Sequence, residues 1–127
     1  MGVFDLWFRS PEQQKIDVDN FYNWAYPFGE KQEKIIDEII SQLIDNEEKA
    51  MAKYNYFTAR QEYQKTKGSD IKESVRVLKK QILGKGKKNI CKYLALASVD
   101  LKIGEDLKYP SLDEINSIAL HYEEIIK

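Results

Sequence analysis

The chain has 127 residues, 43% hydrophobic and 32% charged, with a net charge of −1. That is enough for one hydrophobic core and too little for two well-filled ones, and it sets up no global field drawing the chain to nucleic acid or membrane. A single cysteine, Cys91, excludes an internal disulfide framework and a cysteine zinc cluster, and fits a reducing cytosol.

The opening MGVFDLWFRS places Asp5 and Arg9 within a short apolar stretch, so it reads neither as a signal peptide nor as a membrane span. Residues 1–10 are expected to be an apolar extension folded onto the core through Phe4, Leu6, Trp7 and Phe8. Ser10-Pro11-Glu12-Gln13 is a capping box with proline at the first helical position, which predicts a helix from Pro11. Val18, Phe21, Tyr22 and Ala25 recur at helical spacing as its buried face. The weak helix formers Asp17, Asp19 and Asn20 leave room for a break, and Pro27 with Gly29 ends the element.

A second helix is predicted from Glu30, with Ile35, Ile36, Ile39, Ile40, Leu43 and Ile44 as a wide apolar stripe. Two readings compete at Asp45-Asn46. One is a turn, with Asn46 capping a new helix. The other is a single long helix over about 30–67, because Ile36, Ile40, Leu43, Ala50, Tyr54 and Phe57 nearly keep one seam that only Glu47 interrupts. With neither glycine nor proline at the junction, the continuous helix is preferred.

Gly68 closes that element, and Asp70 with Glu73 opens the next, where Ile71, Val75, Leu78 and Ile82 keep helical spacing. Gly84 is expected to end it and Asn89 to cap the following helix. The run from Ile90 to Ala97 is apolar on most sides, which belongs in the middle of a bundle. Ser111 and Glu114 form a last capping box, with Pro110 and Ile115 as a hydrophobic staple and Ile115, Ile118, Ala119, Tyr122 and Ile125 as the buried face. No alternating strand pattern stands beside these. The fold expected is all-α: a compact single domain over 1–127, a bundle of about five helices, mostly antiparallel.

The chemistry-bearing residues are sparse. The one histidine, His121, has Ile118 three positions before it, so the Glu-x-x-His pair of a di-iron bundle is missing. It reads as an ordinary surface or core histidine, and Cys91, in the most apolar helix, as an inert buried thiol. Adjacent acids such as Asp37–Glu38 and Glu47–Glu48 point in different directions on a helix and read as a solvated face. No catalytic, metal or cofactor constellation emerges, so the chain is expected not to be an enzyme.

Two features carry more information. Trp24 and Tyr26 fall off the first helix's apolar stripe and are candidate protein-interface anchors. Residues 72–92 carry a net charge of +7 and the rest of the chain −8. Arg76, Lys79, Lys80, Lys85, Lys87, Lys88 and Lys92 are therefore candidates for binding an anion or an acidic partner. The stretch LGKGKKN lacks the spacing of a phosphate-binding P-loop, and the helix after it is too apolar to read base edges in a DNA groove. Lys87 and Lys88 also precede a helix N-terminus, where the dipole disfavours cations. The expected function is a small cytoplasmic protein-interaction module of the adaptor, regulator or immunity type, of bacterial or phage character. The alternative is a nucleic-acid-associated protein holding phosphates through the basic strip.

Overall fold

The computed structural model describes residues 10–82 and 86–127, all of whose regular structure is helical. Six helices follow in order: α1 (Pro11–Ala25), α2 (Glu30–Leu43), α3 (Lys49–Thr66), α4 (Ile71–Gln81), α5 (Lys87–Asp100) and α6 (Leu112–Ile125). The all-α expectation holds, with one helix more than the expected number. None of the described helices is long and apolar enough to cross a membrane. The contacts divide the chain into two compact units whose boundary falls within α2, between Ile35 and Ile36.

In the first unit, α1 begins where its capping box predicts: Ser10 Oγ accepts from Gln13 N at 3.1 Å, with Pro11 in the first turn. The helix runs unbroken through Asp17–Asn20, so the break for which these weak formers leave room does not occur. Gly29, at φ +85°, turns the chain into α2, a conformation that glycine adopts without a Cβ penalty. Tyr22 Oη donates to Glu33 at 3.0 Å and Phe28 N to the buried Gln32 side chain at 2.9 Å, which ties the turn together. The expected buried stripe is half wrong. Ala25 is buried, but Val18 and Phe21 are exposed, while Tyr26, which falls off the stripe, is buried.

The second unit is organised around α5, buried on nearly every side from Ile90 to Asp100, as its continuous apolar run predicts. It packs against α3, α4 and α6. Burial of aliphatic and aromatic side chains at about 25 cal/mol per Å² drives this arrangement. The N-caps of α4 and α6 form where expected, Asp70 accepting from Glu73 N at 3.1 Å and Ser111 from Glu114 N at 3.2 Å. On α6, Ile115 and Ala119 are buried, Ile118 and Tyr122 partly so, and Ile125 is exposed.

The continuous helix over 30–67 is overturned. α2 ends at Leu43 and α3 starts at Lys49, with Asn46 in the left-handed region at φ +63°. Asparagine tolerates that conformation better than most residues. The physical reason lies in Glu47, which turns inward to accept from Asn55 at 3.4 Å, from Asn89 at 3.2 Å and from the Tyr93 hydroxyl. Past the break the expected seam dissolves, since Ala50 and Tyr54 are exposed. Two helix-end expectations also change. α4 stops at Gln81 with Ile82 extended after it, before Gly84, which lies outside the described residues. The cap of α5 is Gly86, at φ +98°, and not Asn89, whose side chain is engaged by Glu47.

At the far end of α5 the Asp100 carboxylate is wholly buried. It accepts from Tyr56 Oη at 2.6 Å and Tyr109 Oη at 2.5 Å, with Arg60 Nε at 3.6 Å. Burial, followed by the Asp100 charge, pushes the Tyr56 hydroxyl well above its ordinary pKa, so that it stays a donor. Asp100→Ala leaves Arg60 buried without this carboxylate and is expected to cost about 3–5 kcal/mol in urea unfolding. Gly68→Ala is expected to cost at least about 1–2 kcal/mol, because Gly68 sits at φ +74° and an added Cβ would lie 2.6 Å from the Tyr63 hydroxyl oxygen. Burial also raises the Cys91 thiol to about 11 and the Tyr63 hydroxyl to about 12. The unfolded chain releases these protons first, from their ordinary values of 9.0 and 10.0. Their contribution to stability is therefore full below pH 9 and falls as pH rises towards 12. Urea midpoints measured from pH 7 to pH 11 should be level at first and then decline.

Candidate functional site

The basic residues gather where α4 ends and α5 begins, and the structure sorts them into three kinds. Arg76 is committed within its own helix: its Nε donates to Glu73 at 2.7 Å, and Nη2 contacts the other carboxylate oxygen. This hydrogen bonding holds the Glu73 carboxyl below its usual range. Lys92, half-buried, is turned inward, its Nζ donating at 3.0 Å to the Leu43 carbonyl at the end of α2. There it satisfies a terminal carbonyl and meets the negative end of that helix's dipole, so it leaves the candidate set. Lys79, Lys80, Lys87 and Lys88 are exposed and enter no ion pair among the described residues. Lys85 lies outside the described residues.

Within the third group, Lys79 and Lys87 come together from different helices. Both line an open groove of about 440 Å³, together with Lys72, Arg76, Asp70, Glu73, Val75 and Ile126. Both also line a neighbouring cleft of about 350 Å³ formed with Ile82 and Ile90. The two lysines are thus common to the linings of both depressions. Partial desolvation, and after it the nearby Lys87 cation, lower the Lys79 pKa. Lys72 belongs to this face although it carried no separate weight in the sequence. Its position one, and in turn two, turns of helix before Arg76 and Lys79 was the signal.

The electrostatics of α5 are inverted at both ends. Its first turn holds Lys87 and Lys88 and no acid, and its last residue is Asp100. A helix dipole favours the opposite placement at each terminus. At the C-terminus the inversion is compensated internally by Tyr56, Tyr109 and Arg60. At the N-terminus it faces solvent, and Asp45, Glu47 and Glu48, which line a cleft with Lys88, make no ion pair with it.

The remaining candidates separate clearly. Tyr26 is 3% exposed, which withdraws it from a surface role, and Trp24 is half-buried with its ring 5.8 Å from that of Phe21. His121 is exposed on α6, and Cys91 is buried with its thiol raised to about 11, an environment that suppresses the reactive thiolate. Among the described residues, no group of three or more His, Cys, Asp or Glu side chains is placed to hold a metal ion. Comparison with protein-family models, curated proteins and solved structures found no match.

Lys87→Glu relieves both the like-charge approach to Lys79 and the unfavourable dipole. It is expected to stabilise the fold by about 0.5–1 kcal/mol in urea unfolding, whereas Lys92→Met, which strips the Leu43 carbonyl of its donor, is expected to destabilise it by about 1–2 kcal/mol.

Proposed function

We propose that this protein is a non-enzymatic binding module that engages an acidic protein partner through the exposed cations of α4 and the N-terminus of α5. The observation that carries the reading is the uncompensated inversion at Lys87 and Lys88. Two cations stand against a helix dipole, beside Lys79, while Arg76, Lys92 and Lys53 are drawn into local or internal contacts. A local rule broken in this way, without an internal remedy, is typical of a surface shaped for something outside the molecule. An adaptor or inhibitor role is consistent with the size and helical architecture, which by themselves leave function open.

The second reading, phosphate contact with nucleic acid, draws on the same lysines. Against it stands the body of α5, whose residues from Ile90 onward are mostly buried and so are not presented to base edges.

Affinity capture followed by amine-reactive cross-linking tests the proposal. Cross-links are expected at Lys79, Lys80, Lys87 and Lys88, and the partner should be lost from Lys79→Glu/Lys87→Glu while the helical circular dichroism stays unchanged. Recovery that is insensitive to this reversal refutes it. Binding to duplex or single-stranded DNA that weakens steeply between 50 and 200 mM salt, with a slope set by several phosphates, would favour the second reading.

A further inference from the structure

We draw no further inference here: the strongest candidate, the cleft of about 570 Å³ between the α2–α3 turn and the first turn of α5, is lined by the exposed acids Asp45 and Glu48 beside the exposed Lys88, and nothing in the structure points to what would occupy it.

Discussion

Asp100 carries its charge at the last residue of α5, the end at which the helix dipole is already negative, and it does so in the interior. A carboxylate in that position is tolerated only when donors converge on it. Here Tyr56 and Arg60 arrive from α3 and Tyr109 from the segment leading to α6. Their convergence sets the register of α3 against α5 and directs the 101–111 connection back over the end of the helix. At the opposite end, Glu47 draws the α2–α3 turn onto Asn55, Asn89 and Tyr93, and Lys92 reaches the Leu43 carbonyl at the end of α2. The most buried helix of the unit is thus held at both ends by polar groups, with apolar packing between them.

This anchoring determines what the surface offers. Because α5 cannot rotate or slide without breaking one of the two clusters, Lys87 and Lys88 emerge at a fixed place, and the end of α4 brings Lys79 beside them. The two termini of α5 resolve the same electrostatic conflict in opposite ways, by internal donors at Asp100 and by exposure at Lys87. Exposure leaves favourable interaction energy unrealised in the free protein. An acidic ligand is the simplest chemistry to realise it, and that is the basis of the binding role proposed for this surface.

Much of the helical framework was legible from local chemistry. Ser10, Asp70 and Ser111 cap helices because a side-chain oxygen three residues ahead of an unsatisfied N–H is a local arrangement, complete within one turn. Gly68, at φ +74°, marks a chain reversal for an equally local reason. The all-round apolar character of the run after Ile90 announced a central helix. The break at Asn46 was not legible, because its cause is distant: Glu47 leaves the helical path to meet Asn89 and Tyr93, more than forty positions further on. The same distance hid the new cap at Gly86, since the partner of Asn89 cannot be read from its neighbours.

The basic strip shows the division most clearly. Sequence by itself determined its net charge, its place between two helices and the conflict of Lys87 and Lys88 with a helix dipole, since each of these depends only on residue type and order. Only tertiary structure decided which cations are spoken for. Lys92 is turned onto the end of α2 and Tyr26 is withdrawn into the interior, while Lys79 and Lys87 come together from different helices; the tie of Arg76 to Glu73, by contrast, lies within one helical turn. Pairing and burial are properties of positions in space, and a side chain as long as lysine can reach outward or inward from the same helical face. The chain's order leaves that choice open, and packing around α5 closes it.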